Sequence, residues 1–393
     1  MKPNQVKTFL LNCLKSNEQL IDNNKVPIAV NIEGVHGIGK TQVVTELAKE
    51  TGYLVKKLNL AQFELVGDLI GYSVKEFEIC KDEKCLWITE NQIPHYISLG
   101  WTFTNNNLTK QCPPEWIVDL PERVILFLDD ASRANSLIIQ AVMELLDKRE
   151  FIGWNLPKYC QIVLSTNPDT GEYNVTSLDG AQSTRSLNIK MEWDVDSWAE
   201  WSEKNKRDDR CINFVLLFPE LFVAHKDGNL TAVNNICPRQ MDKFFDMVET
   251  IDEFFPNIEY ISQLAIASVG ETFLKLFIKF INEKLDRLPS IPKIIHEYDL
   301  ATAKTELTKV CGNYMANPHE FKQPTAATLS QRLSNYVIHN SIKKEEAAKV
   351  SELICHTAFT EDMKYTILNR ISGKSNMFTE MMKNKELVKY VLA

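Results

Sequence analysis

Apolar residues recur at helical spacing from the start of the chain, interrupted by Lys7 and Lys15 and closed by Asp22-Asn23-Asn24, so residues 1–25 read as an amphipathic helix. The run VPIAVNIEG (26–34) is short, rich in β-branched residues and stopped by glycine, the pattern of a buried strand. From Thr41 to Glu50 the apolar positions Val43, Val44, Leu47 and Ala48 form a stripe, and Gly52 lies just past the end, which predicts a helix. Leu54 to Leu60 reads as a second strand, VILFLDD (124–130) as a buried strand ending in acid, Asn135 to Lys148 as a helix, and QIVLSTN (161–167) as a further strand. Phe151 to Trp154 and Tyr159 to Cys160 suit a hairpin. Residues 61–120 are irregular and punctuated by Pro94, Pro113, Pro114 and the polar tip Asn105-Asn106-Asn107, so a stretch of this length should carry small elements of its own.

Strands alternating with helices predict an α/β unit, a P-loop NTPase parallel sheet with flanking helices. Past about residue 193 strand-like runs fade and helical segments dominate: Arg239 to Phe255, Ile258 to Leu285 and Lys344 to Phe359. The expected organisation is an αβα nucleotide-binding core over 1–195 with an insert at about 61–120, an α-helical lid over 196–260, and a helical C-terminal region over 261–393. A chain of 393 residues exceeds what one hydrophobic core usually serves, which agrees with this division.

Composition narrows the classes. At 44% hydrophobic and 24% charged the chain is that of a folded protein, not a disordered or fibrous one. Its net charge of -8 argues against nucleic acid as the main substrate, because non-specific neutralisation of many phosphates needs a basic excess. No apolar run approaches the length that spans a bilayer, and the amino terminus lacks a signal peptide's continuous apolar core. Nine scattered cysteines without repeated short spacing suit reduced thiols in a soluble cytoplasmic protein. Cys80, Cys85 and Cys112 offer a partial metal site, against which stands the simpler reading of free thiols in strands and loops.

The chemistry concentrates at GVHGIGKT (34–41), which fits G-x-x-x-x-G-K-[ST] with a strand before it and a helix after it. Gly34, Gly37 and Gly39 let backbone N–H groups turn inward, and His36, Ile38 and, just behind, Gln42 complete the loop around a phosphate chain. Lys40 then reaches the β- and γ-phosphates of ATP, and the Thr41 hydroxyl reaches Mg²⁺. Hydrolysis needs a second acid on an adjacent strand; in LFLDD, Asp129 suits the Mg²⁺ carboxylate and Asp130 the group that polarises water. Asn167, in Ser165-Thr166-Asn167-Pro168, is a neutral amide at a strand end suited to orienting that water, although Asn-Pro alone also marks a turn. Cys237-Pro238-Arg239-Gln240 opens a helix with an arginine.

Taken in order, GVHGIGKT, LFLDDASRA, LSTNP and CPRQM resemble the Walker A, Walker B, sensor 1 and sensor 2 motifs of AAA+ ATPases, in a form similar to the MoxR branch. LVGDLIG (65–71), PPEW (113–116), as in many bacterial and phage relatives, and the stretch 167–185 extend the resemblance across roughly residues 26–250. It implies that Asn167 acts as sensor 1, Arg239 as sensor 2 from the lid, and Arg185 as a finger inserted into a neighbouring subunit's site, where its charge stabilises the phosphoryl-transfer transition state. A finger acting in trans implies a homo-oligomer, a hexameric ring in this family. The resemblance further implies remodelling or maturation of a protein partner, often one carrying a von Willebrand factor A domain.

Two departures bear on that reading. Asp130 stands where the family has Glu, about one methylene or ~1.5 Å shorter, and a misplacement of that order can cost about a hundredfold in rate. The alternatives are therefore a slow ATPase and a nucleotide switch or assembly scaffold with negligible turnover. Ser132 replaces the Asn of the family's N-R-A, beside Arg133, which suits either a subunit interface or a surface salt bridge. The insert is long enough for the extra helix this branch carries after its second strand. Phe151, Ile152, Gly153 and Trp154 suit a hairpin tip facing pore or partner, with ordinary packing the alternative for Trp154 and Trp101. A nucleic-acid motor or a relative of restriction GTPases is disfavoured by the acidic balance, and a P-loop kinase has no use for Asn167, Arg185 and Arg239 in that order.

Overall fold

The computed structural model describes residues 1–168, 184–222 and 236–392. The chain forms two compact units, Met1–Trp193 and Asp194–Ala393.

The first unit is built on a five-stranded sheet of β1 (Ala29–Glu33), β2 (Leu54–Asn59), β6 (Val124–Asp129), β9 (Gln161–Thr166) and β10 (Ser186–Lys190), in the order β10-β1-β9-β6-β2. Every pairing in it is parallel. Parallel strands need crossovers, and the crossing helices cover both faces of the sheet, which is why the inner strands β1, β6 and β9 are buried on both sides. In β6 the period-two alternation divides the residues. Ile125 and Phe127 join the core formed with α1 (Pro3–Asp22) and α2 (Lys40–Thr51), whereas Val124, Leu126 and Leu128 join the core formed with α6 (Ser136–Lys148). α1 buries Val6, Leu10, Leu14 and Ile21 along one stripe. Its buried Asn17 bonds both the amide and the carbonyl of Ile28 at 2.9 Å and the Gln161 side chain at 2.8 Å, fastening the entry to β1.

The insert departs from the expectation. Instead of one long extra helix it holds the short helices α3 (Val66–Ile70), α4 (Ile93–Ser98) and α5 (Glu115–Val118) and an antiparallel sheet of β3 (Tyr72–Lys81), β4 (Lys84–Thr89) and β5 (Thr102–Cys112), in the order β4-β3-β5. Its strands are exposed over much of both faces, so they lack the clean alternation that marks a half-buried strand. Cys80 and Cys85 face each other across the β3–β4 hairpin and are joined as a disulfide, so the expectation of reduced thiols fails at this pair. Cys112 pairs instead with Tyr72 at the other end of the sheet, so the three cysteines do not converge. Glu78, Cys80 and Cys85 do lie together.

The hairpin after α6 is smaller than read: β7 (Glu150–Phe151) pairs with β8 (Trp154–Asn155), and Tyr159 and Cys160 lie outside it. Ile152 at its tip is exposed, whereas Trp154 is buried. The Trp154 indole donates to the Ile70 carbonyl at 2.9 Å, the Trp116 indole donates to the Leu69 carbonyl at 2.9 Å, and the two rings meet edge to face. LVGDLIG, PPEW and FIGW thus clasp one helix end, and packing accounts for Trp154. Gly71 is confined there because a Cβ would lie 2.0 Å from the Cys112 carbonyl oxygen.

The second unit is helical throughout its described residues. Phe214, Phe244, Phe245, Phe273, Phe277 and Phe280 form one fully buried cluster, and residues from Ile291 to Leu387 form another apolar core. The helix expected over 258–285 is broken into Ile258–Ser268 and Glu271–Asn282 by Gly270, whose φ of 90° leaves the helical region. Arg332 is fully buried and bonds Glu203, Asp209 and Asn213, tying the helix Gln323–His339 to Val195–Lys204 and Asp209–Leu217. Among the described residues no helix is long and apolar enough to cross a membrane.

Candidate nucleotide site

The C-terminal ends of β1, β9 and β6 lie side by side and bring three sequence-predicted residues together. β1 and β6 are not neighbours as expected; β9 runs between them, and this places Asn167 between Lys40 and Asp130. The intervening strand supplies the bridging amide.

After β1 the chain turns through the glycine loop. Gly37 and Gly39 have φ of 75° and 94°, in the left-handed region that side chains disfavour. A Cβ on Gly34 would lie 2.7 Å from the Met191 carbonyl oxygen, so this position admits no side chain without moving backbone. Gly39 caps α2 with no side-chain partner, and the first turn carries no acid, leaving the positive end of the helix dipole uncompensated. His36 is exposed on the loop, Ile38 is buried beneath it, and Gln42 donates to Glu46 at 3.0 Å on the outer face of α2. Thr41 stands in the first turn, half-buried.

Lys40 is buried. Its ammonium donates to the carbonyls of Gly34 and Val35 and, at 2.9 Å, to Oδ1 of Asn167. The Asn167 amide nitrogen Nδ2 donates in turn to Oδ1 of Asp130 at 3.3 Å. The Asn167 backbone N–H donates to Oγ of Ser132 at 3.1 Å, and that hydroxyl is buried. A continuous chain of bonds therefore runs from the loop lysine through the amide to the second acid.

Asp129, the last residue of β6, accepts the Asp130 backbone N–H on Oδ1 at 3.1 Å and pairs through Oδ2 with Lys57 of β2 at 2.7 Å. Asp130 follows with φ of 53°, a conformation that aspartate tolerates better than most residues. Arg133 is exposed on the turn beyond. The donor set suits magnesium and a triphosphate: hard oxygens at Thr41 and Asp129, a glycine loop leading into a helix N-terminus, and one lysine.

Arg185 lies outside this bonded group, paired with Asp147 of α6 at 2.6 Å; Arg239 belongs to the second unit, where it is exposed in the first turn of the helix Pro238–Val248. Most of the stretch leading to Arg185, residues 169–183, lies outside the described residues.

Two site residues were missed from the sequence. Ser132 was read only as a departure from the family pattern, although a buried hydroxyl beside a strand-end turn is a natural acceptor for a loop amide. Lys57 gave no signal, because only the register of β2 on β6 brings it to Asp129.

The first unit is thus an α/β fold of the P-loop nucleotide-binding class. No family model matches the chain, and no curated protein matches it. Among solved structures it is similar to the RuvB Holliday junction branch migration motor of Thermotoga maritima, at 12% identity over 83% of this chain and 87% of that one, with a TM-score of 0.35. It is also similar to a proposed ATPase from Cytophaga hutchinsonii, at 17% identity over 68% and 86% of the two chains, with a TM-score of 0.29. At these values neither neighbour carries an activity or a substrate over to this chain.

Proposed function

We propose that this chain is a Mg²⁺-dependent ATPase of the AAA+ class, MoxR-like in its motifs, that works as a homo-oligomeric ring on a protein partner. The single observation that supports it most is the bonded series Lys40, Asn167, Asp130 at the ends of three parallel strands. In this reading residues 34–42 hold the phosphates of ATP, and Thr41 and Asp129 hold Mg²⁺. The metal supplies charge neutralisation of the phosphates. Lys40 releases its carbonyl partners for phosphate oxygens, and Asn167 and Asp130 hold the attacking water, with Asp130 accepting its hydrogen bond. Arg185 would reach the site of a neighbouring subunit, and Arg239 would act from a lid over 196–260. A hexamer and a partner with a von Willebrand factor A domain follow from the motif resemblance alone, a cytoplasmic location follows from the cysteine usage, and residues 261–393 have no assigned role.

One observation favours a second reading, a nucleotide switch with negligible turnover. The short Asp130 carboxylate already accepts the Asn167 amide at 3.3 Å and would have to serve water as well. Steady-state phosphate release by purified protein and by Asp130→Glu separates the two. The ATPase reading expects turnover above background in the parent, with the variant changed by less than about a hundredfold. Parent turnover at background with a far faster variant would establish the switch.

A further inference from the structure

We infer that Lys57 is a built-in counter-ion that competes with the divalent metal for Asp129, making metal binding depend on nucleotide. The inference rests on the proposed role of Asp129 as the Mg²⁺ carboxylate.

Lys57 pairs in register with Phe127, and Asn59 with Asp129. The lysine therefore lies one pleat behind the acid, on the same face of the sheet. That face is the one Phe127 buries against Val43, Val44 and Leu47 of α2, the helix that begins at Lys40. A lysine stem can lie along this edge strand while its ammonium extends past the sheet end. It reaches Oδ2 of Asp129 at 2.7 Å. The other oxygen, Oδ1, is engaged by the Asp130 amide at 3.1 Å. Both oxygens of the proposed metal carboxylate are thus occupied by donors of this chain, one of them a full positive charge.

The exposures of the two side chains decide which group yields. Asp129 is 14% exposed and fixed at a strand end, whereas Lys57 is 46% exposed on a flexible stem. A divalent ion approaching Asp129 alone must displace an ammonium already paired there, and it meets repulsion from that charge until the lysine swings out. With nucleotide present the phosphate oxygens supply further ligands and negative charge, so the metal is held without relying on Asp129 alone. The swung-out ammonium is also attracted by the phosphates. The device keeps a half-buried carboxylate neutralised in the resting protein and disfavours occupancy by bare metal.

The test uses Mn²⁺ alone as the probe, read by electron paramagnetic resonance in the absence of nucleotide, on the full chain. An exposed ion pair is worth up to about 1 kcal/mol, so Lys57→Met should bind Mn²⁺ about fivefold more tightly than the parent. Lys57→Arg, which keeps the charge, should bind as the parent does. The gain should vanish when Asp129→Asn is combined with Lys57→Met. Affinity in Lys57→Met no greater than in the parent, including binding undetectable in both, overturns the inference, as does a gain that survives Asp129→Asn. Binding of a fluorescent ATP analogue without metal is measured on the same samples. Failure of the parent to bind it would reject the nucleotide-site reading itself, an outcome separate from any result with Mn²⁺.

Discussion

Ser132 tests whether Asn167 must be held in place by the protein rather than merely be present. Its buried Oγ accepts the Asn167 backbone N–H at 3.1 Å, and Asn167 carries on its side chain the bonds to Lys40 and Asp130. Ser132→Ala removes the acceptor and leaves a buried amide unpaired. An unsatisfied buried donor costs about 1–3 kcal/mol, and Ser132 is only 2% exposed, so water has little access to replace the hydroxyl. For a unit of this size each kcal/mol corresponds to about 2–4 °C in Tm, so the first transition should fall by roughly 2–12 °C. With its backbone anchor gone, Asn167 loses orientation in the transition state more than affinity for the ground state. The kcat for ATP hydrolysis should drop about tenfold while nucleotide Kd changes less than about threefold. Ser132→Thr, which retains the hydroxyl, should recover most of the rate. The reasoning is refuted if Ser132→Ala melts and turns over like the parent, or if Ser132→Thr is as impaired as Ser132→Ala, which would point to volume and not to the hydrogen bond.

In the second unit, Arg332→Ala leaves Glu203 and Asp209 without their buried cation, and calorimetry should show a loss of about 3–5 kcal/mol. Arg332→Met, which preserves volume, should lose about as much, since the stranded carboxylates and not the cavity are the cause. Hydrogen bonds from Tyr314 at 2.5 Å and Lys364 at 3.0 Å hold the Glu361 carboxyl at about 2, below its ordinary 4.5. A depressed carboxyl stabilises the folded state above its unfolded pKa and loses that contribution as pH falls through the folded value. Stability measured by denaturant unfolding should therefore decline from about pH 4.5 to about pH 2, and Glu361→Gln should flatten that part of the profile. An unchanged slope in the variant would remove Glu361 as the source.

The parallel sheet was legible because each of its inner strands is a continuous apolar run closed by a polar or glycine signal, as in VILFLDD and QIVLSTN. The order of those strands was not, since periodicity reports which residues are buried and not which strand lies beside which. That is why Asp129 was expected on a strand adjacent to the loop and is found one strand further away. The insert was illegible for a different reason. Strands such as KCLWIT are exposed on both faces, from Lys84 to Trp87, so burial imposes little alternation on their sequence. The Cys80–Cys85 pair was discounted by counting cysteines across the whole chain, although two cysteines separated by a tight hairpin form a local question of register. Lys40, Asn167 and Asp130, singled out by motif and context, are joined by hydrogen bonds at the strand ends; the chemical roles given to them are those of the proposed function. Ser132 and Lys57 act through neighbours that only the fold supplies.

Isothermal titration of Mg-ATP into the parent chain and into Lys40→Ala addresses the nucleotide site most directly. Loss of a charge-assisted bond to phosphate costs about 1.5–3 kcal/mol, so the variant should bind about ten- to a hundredfold more weakly, with both proteins equally folded by circular dichroism. Equal affinity in the two proteins would contradict the assignment of residues 34–42 as a phosphate cradle.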